Sequence, residues 1–430
     1  MNFLKKKILS KEARIGIIGL GYVGLPLLLR FNEVGYSITG FDIDSKKIDL
    51  LKKKRTYINH IDIQKLKSNR KKKYFFTNDF SYIGDVDIII LCLPTPLNKK
   101  KQPDLSYINN TIKKIMPFLR PYQLISLEST TYPGCTRDLI AKKLNHKFNL
   151  GKNFFLSYSP EREDPGNKKN KLKNIPKIIS GYSKNCLYLS SLIYNLAFKK
   201  IYKVKSLEHA EFTKIYENIF RAVNISLVNE MKYLANKIKV NFNDIVDAAS
   251  TKPFGFMPFY PGPGIGGHCI PIDPLYLSWL AKKHKIETQL IKYSFVINSN
   301  TTKNIIKKIS NFILDNKIKD PNILIIGVAY KKNIDDVRES PSLKIMKSFL
   351  SKKIKFSYHD PYVSKLPTNR NFNLKISSVP LTKVEIKKFK ICLICTDHDN
   401  IDYNKIYKYS DIIFDSRNIF DYDDKKIIQV

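Results

Sequence analysis

The chain has 430 residues, 43% of them apolar, and a formal net charge of +37. That length exceeds one ordinary hydrophobic core, so two or three domains are expected, and the apolar fraction argues against a disordered chain. The longest apolar runs, such as Ile88–Leu93, are far too short to span a bilayer, and the N-terminus MNFLKKKILS lacks the apolar stretch of a signal peptide, so a cytoplasmic location is expected.

The charge raises nucleic acid or an anionic membrane as a partner. Short basic runs occur at Lys5–Lys7, Lys52–Arg55, Lys71–Lys73 and Lys99–Lys101, but the positive residues are spread along the whole chain. None belongs to a helix-turn-helix, zinc-finger or RNA-binding signature. Isoleucine and asparagine are abundant alongside lysine, which reads as compositional bias over a solvated surface rather than a basic face. An anionic substrate would still be drawn in, more strongly at low salt. Six cysteines at 92, 135, 186, 269, 392 and 395 show no paired framework, as reduced thiols would. Cys392 and Cys395 form a CxxC inside the strand-like run KICLICTD. Residues three apart on a strand point to opposite faces, so both are read as core and no metal site is expected.

In chain order, a strand over Arg14–Ile18 leads into Gly19-Leu-Gly21-Tyr-Val-Gly24 and a helix that runs to Val34 and stops at Gly35. A second strand, Ile38–Phe41, closes on Asp42, 18 positions after Gly24. Gly19 permits the tight turn, Gly21 lets a pyrophosphate reach the helix N-terminus, and Gly24 lets the helix pack on the sheet. Asp42 suits the adenine ribose and argues for NAD over NADP, although Lys46 and Lys47 follow it. Further strands, Val86–Leu93 and Leu124–Leu127, end at Pro94-Thr95-Pro96 and Glu128-Ser-Thr130. Ligands bind beyond the carboxyl ends of such strands, which makes Thr95 and Thr130 candidates for the nicotinamide half. The alternative for each is a hydroxyl capping the next helix.

From Glu208 to Ile238 the residues Phe212, Ile215, Ile219, Val223, Leu227, Met231, Leu234 and Ile238 recur at steps of three and four. The spacing predicts an amphipathic helix of about 45 Å that joins domains or forms a subunit interface. Lys214, Asn218 and Arg221 fall along one stripe of it. Read one way the stripe is solvated charge; read another, it holds a fixed cation and an amide donor at a reacting oxygen.

The segment GPGIGGHCIPIDP, Gly262 to Pro274, sets Cys269 behind Gly266, Gly267 and His268, with Asp273 four positions on. Its glycines allow backbone N–H groups to approach a ligand, and a thiol beside a cation is a candidate nucleophile. A buried packing cysteine is the alternative. The last strand–turn unit, Asn322–Ile326 into Gly327-Val-Ala-Tyr330-Lys331, lacks GxGxxG, so a second dinucleotide site is not expected.

Seven motifs in order, IGLGYVGLP, LCLPTP, ESTTYPG, SPER, EFTKIYEN, GGHCIPIDP and AYKKNIDDVRESP, resemble the UDP-glucose/GDP-mannose dehydrogenase family from about Arg14 to Phe420. ESTTYPG, TKPFGFMPFYPGPG and IDPLYLSW look most like its UDP-N-acetylglucosamine 6-dehydrogenase branch. The resemblance implies an α/β protein of two Rossmann-like doubly wound domains joined by a long central helix and a helical middle. Residues 1–204 would bind NAD, 205–302 would carry the dimer contacts and the thiol loop, and 303–430 would receive the UDP-sugar. It implies oxidation of C6 of a UDP-sugar from alcohol to carboxylate with two NAD, in a homodimer, for surface-polysaccharide synthesis. Cys269 would hold the carbon as thiohemiacetal and then thioester, and Lys214 and Asn218 would stabilise the charged oxygen. Asp273, Thr130 and Glu161 would serve water and protons. For the cofactor the resemblance adds Tyr22, Val23 and Lys47 to Gly19, Gly21, Gly24, Asp42, Thr95 and Thr130. For the substrate it implies Arg162, Lys214, Asn218, Arg221, Phe259, Tyr260, Gly266, Lys331 and Arg338. As alternatives, Lys331 is a surface residue and Arg338 pairs with Asp335 or Asp336.

The chemistry asks for these residue types, because a covalent intermediate keeps the aldehyde from escaping and the thioester then needs a general base. After Glu161 the chain has Pro165 where the UDP-glucose branch has a second glutamate, so the identity of that base stays open. UDP-glucose, UDP-N-acetylmannosamine and UDP-N-acetylgalactosamine are the alternative substrates. The loop Phe254–Tyr260 is apolar enough to receive an acetamido group. A hydroxyacid dehydrogenase would need no thiol, and a nucleic-acid-binding Rossmann protein would leave Cys269, Lys214 and Asn218 without a purpose.

Overall fold

A computed structural model describes all residues except 59–60, 68–72, 164–171, 268, 368–373 and 422–423. His268, Pro165 and the Lys71–Lys72 part of one basic run therefore lie outside the described residues. The chain is a mixed α/β protein in two compact units, one of residues 1–217 and 275–285, the other of 218–274 and 286–430.

The first unit is built on β1 (Arg14–Ile18), β2 (Ser37–Phe41), β3 (Tyr74–Thr77), β4 (Ile88–Leu91), β5 (Leu124–Leu127), β6 (Phe155–Tyr158), β7 (Lys177–Gly181) and β8 (Ile201–Lys203). Their order is β3-β2-β1-β4-β5-β6-β7-β8, parallel throughout except for β6 against β7. Strands β4, β5 and β6 are buried at every position, as expected of a sheet covered on both faces. The order reverses at β1, flanked by β2 and β4, which opens a crevice at their carboxyl ends. Helix Gly24–Glu33 buries Leu25, Leu27, Leu28 and Phe31 and ends before Gly35, whose φ of +111° a side chain would resist. β4 is shorter than its apolar run, yet Cys92 N–H still donates to Ile18 O at 2.8 Å. One helix was not anticipated: Asn2–Leu9 buries Leu4 and Ile8, and Lys7 within the basic run pairs with Asp87 at 2.9 Å.

The second unit holds β9 (Asn322–Ile326), β10 (Lys355–His359), β11 (Ile391–Ile394), β12 (Ile412–Asp415) and β13 (Ile427–Gln429), all parallel in the order β10-β9-β11-β12-β13. Cys392 and Cys395 are both buried, in different apolar clusters on the two faces of this sheet, and burial pushes each thiol up to about 12. They are core residues, as the spacing implied. Helix Gln289–Asp315 packs against the sheet through Ile305, Ile309 and Ile313.

The long helix is one element of 31 residues, Leu207–Lys237, and the division between the units falls inside it, between Glu217 and Asn218. Its apolar periodicity serves two environments. Ile215 is buried, whereas Leu227, Met231 and Leu234, with Ile238 just beyond the helix, are exposed.

Candidate active site

In the first unit the turn after β1 is built for a diphosphate. Gly19 has a φ of +92°, and a Cβ there would lie 2.3 Å from Cys92 O. A Cβ on Gly24 would lie 1.9 Å from Gly19 O and 3.2 Å from the Cβ of Cys92, so helix, turn and β4 meet only because neither residue has a side chain. Gly21 has nothing within 4 Å in the direction of a Cβ. Tyr22 and Val23 are half-buried, and Val23 at the N-cap supplies no side-chain hydrogen bond. Leu25 N–H donates to Gly21 O at 3.1 Å, and the uncapped start of helix Gly24–Glu33 presents the positive end of its dipole, where a phosphate is favoured. Asp42, at the end of β2, accepts from Leu20 N–H at 2.9 Å and Asp44 N–H at 3.0 Å. Lys47 stands 3.6 Å from it, answered by this carboxylate rather than left for a 2′-phosphate. These residues fit NAD.

Past β4 and β5, neither threonine caps a helix. The N-caps of the helices that follow are Leu105 and Cys135. Thr95 is buried, and its carbonyl accepts from the Tyr276 hydroxyl at 2.9 Å. Tyr276 lies on helix Asp273–Lys283, where Trp279 meets the Tyr132 ring of the ESTTYPG segment at 5.0 Å and a 50° tilt. Thr130 is half-buried beside Thr131, whose hydroxyl faces the Glu211 carboxylate at 3.4 Å. Glu211 also accepts from Gly134 N–H at 2.6 Å and Thr136 N–H at 2.8 Å.

Beyond β6, Glu161 accepts from Arg162 N–H at 2.6 Å, Glu163 N–H at 2.8 Å and the Lys177 ammonium at 3.0 Å. Burial pushes Glu161 up, but Lys177 and these hydrogen bonds outweigh it and hold the carboxyl below its ordinary range. Arg162 is engaged by Glu217 at 2.6 Å and by Pro176 O at 2.8 Å. Lys214 is buried and has no hydrogen bond or ion pair among the described residues, although its charge acts on Glu161 through space. A buried, unpaired ammonium is costly unless something anionic arrives, which sets the solvated-stripe reading aside for Lys214.

In the second unit Asn218 is the hub of a short relay. Its Nδ2 donates to Asp273 Oδ2 at 2.5 Å, its Oδ1 accepts from Arg221, and both Asn218 and Asp273 are buried. Asp273 N–H in turn donates to Cys269 O at 2.9 Å, while the cysteine itself is exposed. The packing-cysteine alternative is therefore wrong for Cys269.

The glycines around it are called for by packing within the protein. A Cβ on Gly266 would lie 2.7 Å from the Tyr330 Cβ and 3.1 Å from Glu339 O; one on Gly267 would lie 2.9 Å from the Tyr330 ring. One on Gly264 would meet the Thr302 hydroxyl at 2.7 Å, and one on Gly262 the Arg417 guanidinium at 2.6 Å. Gly267 N–H donates to Arg338 O at 2.9 Å. These glycines seat the thiol loop against the β9 and β12 strand-end segments, rather than clearing space for a ligand at those Cβ positions.

Phe259 meets the Phe220 ring edge-to-face at 5.8 Å, and the exposed Tyr260 donates to Asp247 at 2.5 Å. Lys331 is half-buried. Arg338 pairs with Asp336, at 2.9 and 2.6 Å, rather than only with a ligand. Sequence reading passed over Lys177, Glu211, Tyr276 and Arg417. The last lies just past β12, with its Nε 2.8 Å from Cys395 O and 3.5 Å from Asp397.

Three family profiles match in order: the UDP-glucose/GDP-mannose dehydrogenase NAD-binding domain over residues 13–202, the central domain over 208–300 and the UDP-binding domain over 324–422. The chain is 30% identical to a UDP-N-acetyl-D-glucosamine 6-dehydrogenase of Salmonella typhi over 400 residues, 90% of each protein. It is 31% identical to a UDP-N-acetyl-D-mannosamine dehydrogenase of Methanocaldococcus jannaschii over 421 residues, 94% of this chain and 92% of that one. Among solved structures, a UDP-D-ManNAc dehydrogenase from Pyrococcus horikoshii superposes with a TM-score of 0.84 at 29% identity, covering 96% of this chain and 98% of that one. Fold and site together define an NAD-dependent oxidoreductase acting on nucleotide sugars. The chain belongs to the UDP-glucose/GDP-mannose dehydrogenase family.

Proposed function

We propose that the protein oxidises C6 of UDP-N-acetylglucosamine to the carboxylate, consuming two NAD and one water per turnover. The observation that carries this reading is the exposed Cys269, held one turn before the buried Asp273–Asn218–Arg221 relay. Bound NAD supplies the hydride acceptor for each of the two oxidations. The Cys269 sulfur adds to the C6 aldehyde formed in the first, giving a thiohemiacetal that the second converts to a thioester. Lys214 and Asn218 stabilise the oxygen that carries negative charge. Asp273 orients the attacking water, and Glu161 with Thr130 holds water and accepts its proton. Arg162, Arg221, Phe259, Tyr260, Gly266, Lys331 and Arg338 are assigned to the substrate, and Tyr22, Val23, Lys47 and Thr95 to the cofactor. The same reading assigns 1–204 to NAD, 205–302 to the dimer contact and thiol loop, and 303–430 to the UDP-sugar.

Support for the N-acetylglucosamine substrate comes from the Salmonella typhi relative and from the exposed apolar loop at Phe254, Phe256 and Met257. UDP-N-acetylmannosamine is the second reading, supported by the mannosamine dehydrogenases of similar identity. A homodimer accounts for the exposed Leu227, Met231, Leu234 and Ile238, spaced by four, three and four along one helical face. Cysteines outside any disulfide suit the cytoplasm. The test is NADH formation with UDP-GlcNAc, UDP-ManNAc, UDP-GalNAc and UDP-glucose. Fastest turnover of UDP-GlcNAc, at two NADH per sugar, supports the proposal; preference for another sugar reassigns the substrate.

A further inference from the structure

Lys177 opens β7, next to the edge strand β8 of the first unit's sheet, and its side chain is only 2% exposed. All three of its ammonium hydrogens are used: on Glu128, on Glu161 at 3.0 Å and on Pro160 O at 3.2 Å. Glu128 accepts a further hydrogen bond from the buried Tyr194 hydroxyl on helix Lys184–Ala197. Glu161 spends Oε1 on the two backbone N–H groups of Arg162 and Glu163 and turns Oε2 to Lys177, which leaves one acceptor direction on Oε2. Two carboxylates thus share one buried cation, a net negative charge that low polarity would not tolerate unaided. The other groups around the cluster are Cys92 beyond β4, which is half-buried and whose thiol is pushed well up by desolvation, and Lys214 on the long helix, whose positive charge acts on Glu161.

We propose that Lys177 is a positioning residue for hydrolysis of the covalent intermediate: it aims Glu161 Oε2 and keeps that carboxylate ionised, with Glu128 as the counterweight on the same ammonium. The proposal rests on the assignment of Glu161 to water in the function above. In that step the water oxygen bonds to the thioester carbon, the carbon–sulfur bond breaks and the sulfur leaves as thiolate. One water proton passes to Glu161, and the other is released as the product acid ionises. The electrostatics agree with this division of labour. Burial raises Glu128 to about 7 against the pull of Lys177, while Glu161, given the same burial, is held below its ordinary range. The two carboxylates are pushed apart as acid and base pairs are in active sites.

The experiment compares Lys177→Met, Lys177→Arg and Glu161→Gln in the full-length enzyme with NAD and the fastest UDP-sugar of the panel. NADH is followed on the millisecond scale, and intact mass spectrometry follows the sugar adduct on Cys269. Lys177→Met should keep the initial burst of NADH, lose about 10²-fold or more in steady-state kcat and accumulate the adduct. The acid limb of its kcat profile should move up by roughly one to three pH units, because removing the cation raises the Glu161 pKa. KM for NAD should stay unchanged, and Lys177→Arg should recover most of the rate. If Lys177→Met fails to fold, Lys177→Met/Glu128→Gln, which lowers the uncompensated charge, carries the same readouts. Equal loss of burst and steady state with no adduct and no shift of the acid limb would overturn the proposal. If Glu161→Gln accumulates adduct and Lys177→Met does not, the role of Lys177 falls and that of Glu161 stands. If Glu161→Gln turns over normally, both fall.

Discussion

The two Rossmann-like sheets begin with the same construction and finish it for different ligands. In the first, β1 runs into Gly19, whose missing Cβ makes room for Cys92 O at 2.3 Å; in the second, β9 runs into Gly327, whose missing Cβ makes room for Thr396 O at 2.5 Å. Each second strand ends in an aspartate that ties back the first turn: Asp42 to Leu20 N–H, Asp360 to Val328 and Ala329 N–H at 2.7 and 3.1 Å. There the likeness stops. Asp360 also accepts from Tyr362 and Val363 N–H and faces His398 Nε2 at 3.1 Å, so its carboxylate is spent on the protein. The Asn333 N–H donates to His398 Nδ1, which places the imidazole proton on Nε2, toward Asp360. Among the described residues Asp42 accepts from two backbone N–H groups, with Lys47 at 3.6 Å, and keeps acceptor capacity for a ribose. The helix after the first turn starts without a side-chain cap, whereas the helix Pro341–Ser351 is capped by Ser340, whose Oγ accepts from Ser342 N–H. One skeleton therefore gives an uncapped helix start beside an acid with acceptor capacity to spare, the arrangement a dinucleotide would need. The other gives a filled turn whose strand-end segments carry Lys331, Arg338 and Arg417 and receive the thiol loop.

The sharpest break is at the thiol that the second unit presents. Cys269→Ser should remove the four-electron oxidation by more than about 10³-fold, because a hydroxyl at neutral pH would not replace a thiolate in the proposed role of carrying the sugar between oxidations. NAD binding, a property of the first unit, should stay intact by fluorescence titration. Retained full oxidation would remove covalent catalysis from this protein. Lys214→Ala comes next: loss of a buried cation from a developing oxyanion should lower kcat by roughly 10²–10³-fold. A change confined to KM would make it a binding residue only.

The acids sharpen the comparison directly. Asp42→Ala should raise KM for NAD by roughly 10- to 100-fold, the worth of a charge-assisted hydrogen bond pair to the ribose. Asp360→Ala should leave that KM alone. It strips four backbone N–H groups and His398 of their acceptor, so calorimetry should show a stability loss of about 3 kcal/mol or more. The reverse pattern would mean that the second turn, not the first, receives the dinucleotide.

How much of this was legible follows from how far apart the partners lie in the chain. The strand–turn–helix–strand unit from Arg14 to Asp42 was readable because its glycines, apolar runs and acid are all local, and its bounds came within a residue or two. The long helix was readable from periodicity alone. The choice of Asp336 for Arg338 lay two residues away. What could not be read depends on residues that meet only in the fold. Gly266 and Gly267 of the thiol loop are dictated by Tyr330 and Glu339, more than sixty positions on. Lys177 in KIISG looks like an ordinary polar strand residue until Glu128 and Glu161, 49 and 16 positions back, are seen to enclose it. The helix Asn2–Leu9 was hidden because its eight residues hold three lysines, and the buried Leu4 and Ile8 sit beside Phe3 and Leu9, which are exposed.

The smallest effect separates the two units by the sign of their response to pH. In the first, burial raises Glu211 to about 7 against the hydrogen bonds from Thr136 and Gly134. A carboxyl whose folded pKa lies above its unfolded value binds protons more readily in the folded state, so it favours folding as pH falls. This part of the stability should grow from about pH 7 down to about 4.5 and then level off, a gain of a few kcal/mol at most. In the second unit burial lowers Lys232, which donates to Ser416 O and Val430 O, to about 7. Here the unfolded state binds the proton more tightly, so stability should rise as pH climbs from about 7 toward 10. Hydrogen exchange resolved by segment between pH 5.5 and 9 reads both slopes at once, provided rates are corrected for the intrinsic pH dependence of exchange. The strands β4 and β5 should gain protection toward acid, while β9 and β12 gain it toward base. Glu211→Gln should reduce the first slope to the part carried by Glu128, which burial also raises to about 7, and leave the second untouched; parallel slopes in the two sheets would show that these buried groups do not set the pH response of their units.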